Sequence, residues 1–187
     1  ITDEGVNTFL FMTNDTTHEP MLLQEPDYEP AQYVDNTEYE KNHSGRFTLN
    51  GRTLKMETEK QMIHYQTNMA AMLQLGKWFD YMRENGVYDN TRIILVSDHG
   101  KDLNQDNSFK LADGTDKALY YPLLMVKDFD SKGFVTSEEF MTNGDVPTLA
   151  AEEIIENPVN PFTGKKIDSS EKTAHDQYII NSDEWET

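Results

Sequence analysis

The tetrapeptide Ser97-Asp98-His99-Gly100 directly follows the apolar run Ile93-Ile94-Leu95-Val96. In open α/β sheets, ligand sites gather beyond the carboxyl ends of strands, where loops present side chains. Asp98 offers a hard oxygen donor and His99 a borderline nitrogen donor, a pair that suits Zn²⁺ or Mn²⁺ better than Ca²⁺. Neighbouring residues of a strict strand point to opposite faces, so both reach one ion only if the chain turns there. Gly100 permits such a turn and a close backbone approach. Alone, the tetrapeptide is a weak motif: an aspartate capping the next segment beside an ordinary loop histidine fits it too.

His18 stands after a second apolar run, in Thr16-Thr17-His18-Glu19-Pro20. A histidine there can contact an anionic group or protonate a leaving oxygen near neutral pH, and the bland alternative is a solvated loop residue. His43, His64 and His175 carry less, and His64 neighbours the apolar stripe of a predicted helix.

A calcium loop is the competing metal reading. Asp128-x-Asp130-x-Lys132-Gly133-x-Val135-x-x-x-Glu139 copies much of an EF-hand, with Gly at the sixth position and Glu at the twelfth. Asp102-x-Asn104-x-Asp106 begins another, but Asn107 replaces the required glycine. Lys132 puts a cation where a ligand oxygen belongs, and the segment before Asp128 reads as a strand, not an entering helix.

The elements that would position these residues follow from periodicity. Thr8-Phe9-Leu10-Phe11-Met12-Thr13 predicts a buried strand. Residues 21–55 are aperiodic, rich in Pro, Asn, Gly, Glu and Tyr, and read as a long surface excursion. Thr58-x-x-Gln61 resembles a capping box, and Met62, Tyr65, Met69, Met72, Leu73, Phe79 and Met82 recur at helical steps until Asn85-Gly86 stops the helix. Strands are predicted at Ile93–Val96 and Leu123–Val126. Asp145 is the expected N-cap of a short helix through Ile155, with Pro147 in its first turn. Residues 156–187 read as a polar C-terminal extension with a candidate edge strand at Tyr178-Ile179-Ile180. This order predicts an α/β layered sheet of mainly parallel strands with flanking helices.

Composition narrows the partners. With 34 acidic against 16 basic residues the formal charge is −18, which repels nucleic acid and disfavours docking on anionic lipid. Mean hydropathy is −0.73, low for one compact domain of 187 residues. The absence of cysteine removes disulfides, thiolate metal sites and cysteine nucleophiles. No run approaches the ~18 apolar residues of a membrane span. The short polar lead Ile1 to Asn7, without an initiator Met, is expected of a chain cut inside a larger protein.

In order along the chain come Thr17-His18-Glu19-Pro20, the helix ending Glu84-Asn85-Gly86-Val87-Tyr88-Asp89-Asn90-Thr91, and Arg92-Ile93-Ile94-Leu95-Val96-Ser97-Asp98-His99-Gly100. Tyr121-Pro122-Leu123-Leu124-Met125-Val126-Lys127 and Asn143-Gly144-Asp145-Val146-Pro147-Thr148-Leu149 follow. Over residues 6 to about 155 this series resembles the C-terminal half of the sulfatase-like domain of the alkaline phosphatase superfamily. Within it, the lipoteichoic acid synthase and phosphoglycerol transferase branch is most similar. The resemblance implies that Asp98 and His99 are metal ligands, with Mn²⁺ first and Zn²⁺, Mg²⁺ or Ca²⁺ as alternatives, and that His18 binds substrate phosphate. It implies that a threonine nucleophile and an acidic ligand lie on an N-terminal half of the same domain, outside this sequence. Lys101, Lys110 and Lys117 are equal candidates for the lysine that sulfatases proper place after this motif.

The implied whole is a metal-dependent phosphoglycerol transferase or a related phospho- or sulfo-ester hydrolase. It would act outside the cytoplasmic membrane on a phospholipid or sulfate-ester substrate, tethered by transmembrane helices that are also outside this sequence. The piece alone is expected to bind Mn²⁺ weakly and to turn over no ester. The alternatives are a calcium-binding module and a non-catalytic interaction domain.

Overall fold

The computed structural model describes residues 7–18, 21–176 and 178. Its chain divides into two compact units, one running to Tyr88 and including Lys101–Tyr120, the other made of Asp89–Gly100 and the residues from Tyr121 onward.

The first unit contains helix α1 (Thr37–Asn42), a two-stranded hairpin of β1 (Thr48–Leu49) and β2 (Arg52–Thr53), and the long helix α2 (Glu59–Glu84). The capping box of α2 is as predicted: Gln61 N–H donates to Thr58 Oγ1 at 3.3 Å and Thr58 N–H to Gln61 Oε1 at 3.0 Å. Its C-terminus stops at Asn85, and Gly86 adopts φ +67°, which a side chain would resist.

The face that α2 buries is not simply the expected apolar stripe. Gln61, His64, Gln66 and Thr67 are buried beside Ala70 and Met82, whereas Met72 and Leu73 are exposed. The polar residues are inward because backbone arrives against them. Leu23 N–H donates to Gln66 Oε1 at 2.8 Å, and Gln61 Nε2 donates to the Leu103 carbonyl at 2.8 Å. Within residues 21–55, read as a long surface excursion, the chain forms α1, the β1–β2 hairpin and part of a small core. Leu23 and Tyr28 close a small core with Ala70, on which Tyr65 and Met69 pack. The Glu25 carboxylate, with its side chain fully buried, takes Arg46 Nη2 at 3.0 Å, and the guanidinium lies 4.1 Å from the Phe47 ring centre. Asn36 closes the loop, donating to Leu23 O and accepting from Glu25 N–H.

The second unit contains β3 (Ile93–Val96), β4 (Leu124–Lys127), α3 (Val146–Ala151) and α4 (Ser169–Thr173). Strands β3 and β4 pair antiparallel, Ile93 opposite Lys127 and Val96 opposite Leu124. The predicted layered sheet of mainly parallel strands is therefore overturned. Among the described residues there are two sheets, each of two antiparallel strands. A parallel return needs a crossover, usually a helix, and between β3 and β4 the chain forms only short 3₁₀ turns at Asn107–Phe109 and Ala118–Tyr120. The first predicted strand does not form either, since Phe9, Leu10, Phe11 and Met12 are exposed and outside any ladder. Helix α3 ends at Ala151, short of the predicted Ile155, because Glu152 turns extended and Glu153 takes φ +63°. The candidate edge strand includes Ile179 and Ile180, which lie outside the described residues. Among the described residues no helix is long and apolar enough to cross a membrane.

Candidate metal centre

Ladder pairing of β3 outlasts the strand by one residue and then gives way to a turn. Ser97 N–H donates to Leu123 O at 3.0 Å, but Leu123 N–H returns to the Ser97 hydroxyl at 2.7 Å instead of to a carbonyl. That exchange leaves the Ser97 carbonyl outside the ladder, and a single side chain gathers it together with the Asp98 carbonyl. Asn143 Nδ2 donates to Ser97 O at 2.9 Å and to Asp98 O at 3.1 Å.

Asp98 and His99 then fold toward each other. His99 N–H donates to Asp98 Oδ1 at 2.9 Å, and His99 Nε2 stands 3.8 Å from Asp98 Oδ2. His99 Nδ1 lies in hydrogen-bond reach of the Gly100 carbonyl. A carbonyl only accepts, so this contact suits the tautomer with its proton on Nδ1, which leaves Nε2 as the donor for a metal. Both side chains are open to solvent, Asp98 at 87% and His99 at 57%. One carboxylate oxygen of Asp98 thus accepts from the next residue's N–H, and the other stands toward the His99 ring.

Two donors about 2.1 Å from one ion lie about 3.0–3.4 Å apart at octahedral to tetrahedral angles, so Oδ2 and Nε2 need approach only slightly. The carboxylate–imidazole set fits Mn²⁺ or Zn²⁺ as part of a ligand shell. It is only a part: among the described residues no group of three or more His, Asp or Glu side chains could hold an ion.

The other sequence candidates are placed elsewhere. His18 is exposed in the first unit, at the end of a turn in which its N–H donates to Asp15 O at 3.0 Å; Glu19 and Pro20 lie outside the described residues. Lys101, Lys110 and Lys117 also belong to the first unit. Lys110 lines a cleft of about 400 Å³ with Lys55, Lys60 and Asp102. The EF-hand-like loop is occupied internally. Asp128 receives Arg92 Nε at 2.9 Å and Nη2 at 3.1 Å, and that hydrogen-bonded guanidinium holds its carboxyl below the ordinary value despite some desolvation. In the second loop, Asp106 accepts from Ser108 N–H at 2.8 Å.

Compared with protein-family models, with curated proteins and with solved structures, the chain matches none.

Sequence reasoning missed the groups that hold the turn. Asp145, 1% exposed, is the N-cap residue of α3 as expected, but its side chain makes no capping hydrogen bond there and turns back. Its Oδ2 accepts from Thr142 N–H at 2.9 Å and from Lys172 Nζ, and its Oδ1 accepts from Asn160 Nδ2 at 2.9 Å. Burial pushes this carboxyl up, but Lys172, Thr142 and Asn160 together hold it below its ordinary value. Asn143 entered the sequence reading only within the motif around Pro147; that its carboxamide would reach Ser97 and Asp98 was not visible.

Proposed function

We propose that the chain is part of a metal-dependent phosphoglycerol transferase, or of a related sulfatase-like phospho- or sulfo-ester hydrolase, that acts outside the cytoplasmic membrane. The observation that carries this reading is the turn after β3, where Asp98 Oδ2 and His99 Nε2 face each other at 3.8 Å with His99 Nδ1 against the Gly100 carbonyl. The similarity in sequence around this turn supplies the reaction class; the sheet contributes nothing to it.

Asp98 and His99 are the residues that would hold the ion, with Mn²⁺ the first choice. When bound, a divalent ion supplies positive charge against the non-bridging oxygens of an ester. The carboxylate contributes charge, and the neutral ring contributes a nitrogen donor whose orientation the Gly100 carbonyl sets. His18, exposed at its turn, is proposed to bind the substrate's anionic group. A nucleophile and further ligands are assigned to the rest of the parent protein.

The calcium reading loses ground to one contact, because the Asp128 carboxylate is already paired with Arg92. The test uses Mn²⁺ alone, titrated into the chain and followed by electron paramagnetic resonance. Weak binding that disappears in Asp98→Ala and in His99→Ala is expected. Sub-micromolar binding that survives Asp98→Ala would falsify the assignment.

A further inference from the structure

We infer that Asn143 is a positioning residue for the Asp98–His99 pair, held in place by the buried Asp145–Lys172–Asn160 cluster. The inference rests on the reading of that pair as metal ligands and adds what orients them. The Asn143 carboxamide donates to both the Ser97 and the Asp98 carbonyls. It does not face the ion position through a charge of its own. It acts on the peptide units either side of Asp98, and these set where the Asp98 and His99 side chains leave the backbone.

The clamp is itself braced. Asn143 lies between Thr142 and Asp145, and the Asp145 carboxylate fixes that turn by taking both the N–H and the hydroxyl of Thr142. Asn160 and Lys172 supply the remaining donors to the same carboxylate. Residues around 160–172 read from sequence as a polar extension, yet two of them hold the buried anion on which the turn is built. Gly144 fits the same arrangement: a Cβ there would stand 3.3 Å from Phe162 Cδ2 and 3.5 Å from Asn160 Nδ2, so the turn lies close against the 160–162 segment.

A carboxamide at position 143 can do this where an isosteric carboxylate cannot. Asn143→Asp keeps the shape but puts oxygen against two carbonyl oxygens, removing both donations. A space-filling role would tolerate it; a donating role would not.

The experiment compares the wild-type chain with Asn143→Ala, Asn143→Asp and Lys172→Met, without metal and with Mn²⁺ alone. In metal-free protein, nitrogen-15 shifts of the His99 ring report its tautomer, and amide exchange of His99 and Gly100 reports the order of the turn. Both position-143 variants are expected to move the ring shifts toward those of a free histidine and to speed exchange. Mn²⁺ affinity should fall about 10-fold, as when an outer-shell partner is lost. Lys172→Met should act in the same direction but less. Wild-type ring signals and exchange in Asn143→Asp would overturn the inference, as would their retention in Asn143→Ala. Absence of Mn²⁺ binding in the wild type would instead remove the proposed function, and the metal-free ring signals would still decide the clamp. Retained amide signals of Ile94 and Met125 identify a variant whose strand pair is intact.

Discussion

Leu23, Tyr28 and Ala70 are buried together in the first unit, with Met82 buried further along the same helix. In the second unit, the buried residues among those described are Asp145, Thr148 and Asn160, all polar, and Val96, Leu123, Met125 and Val126 of its strand pair are exposed. The first unit adds to its own buried polar groups, Gln61 and Gln66 among them, an apolar cluster whose burial is non-directional and scales with area. The other is organised by charged hydrogen bonds, which fix particular atoms at particular angles. The candidate metal pair belongs to the second kind. What must be placed there is two peptide carbonyls and two side-chain donors, and a directional network places atoms where an apolar core only fills volume.

The comparison breaks first at Glu25. If the first unit depends on burial, its deep Glu25–Arg46 ion pair should be dangerous to halve, because Glu25→Ala leaves Arg46, with a side chain only 10% exposed, short of its near partner. A loss of about 3 kcal/mol is expected, read from urea unfolding monitored at Trp78 of α2. A loss below about 1 kcal/mol would show that Glu40, 3.8 Å from Arg46, takes over the charge and that the pair is peripheral.

Arg92 is the matching test in the second unit. Its guanidinium ties Asp128 beyond β4 to the carbonyls of Leu149 and Glu152 at the end of α3, and lies 4.9 Å from the Phe129 ring centre. Arg92→Ala releases acceptors that can rehydrate, since Asp128 is 45% exposed, so the expected loss is smaller, about 2 kcal/mol. Faster amide exchange through Ile94 and Val126 is the readout. Unchanged exchange there would mean that the strand pair holds itself, and the contrast between the units would fail.

Where local chemistry decides structure, the sequence was readable. Thr58, Gln61 and Gly86 announced the ends of α2, and the apolar runs at β3 and β4 announced strands. Strand direction was not readable, because Ile93–Val96 is equally apolar in a parallel and an antiparallel pair; the connection decides, and it formed no crossover helix. The inward turn of Gln61 and Gln66 was hidden for a different reason. Their partners are the backbones of Leu103 and Leu23, which leave no mark in side-chain periodicity. At the candidate site, the residue types of Asp98 and His99 were legible, while the reach of Asn143 to the Asp98 carbonyl, across 45 positions, left no mark in the sequence.

Acid gives the finest version of the comparison. Arg92 holds the Asp128 carboxyl below its ordinary value, and at Asp145 the hydrogen bonds from Lys172, Thr142 and Asn160 outweigh a burial that pushes the other way. A carboxyl lowered by folding contributes stability that is complete above its unfolded value, about 3.9, and is lost as pH falls through the folded one. The second unit should therefore weaken below about pH 4, with amide protection at Ile94, Val126 and Thr148 declining together. The effect should be smaller than either substitution, since desolvation already cancels part of the pairing at Asp145 and solvent screens Asp128. Protection that stays flat, or rises, from about pH 6 to about pH 3 would mean that these carboxylates do not hold the unit. The exposed apolar strand pair would then have to be sufficient by itself, which a two-stranded ribbon rarely is.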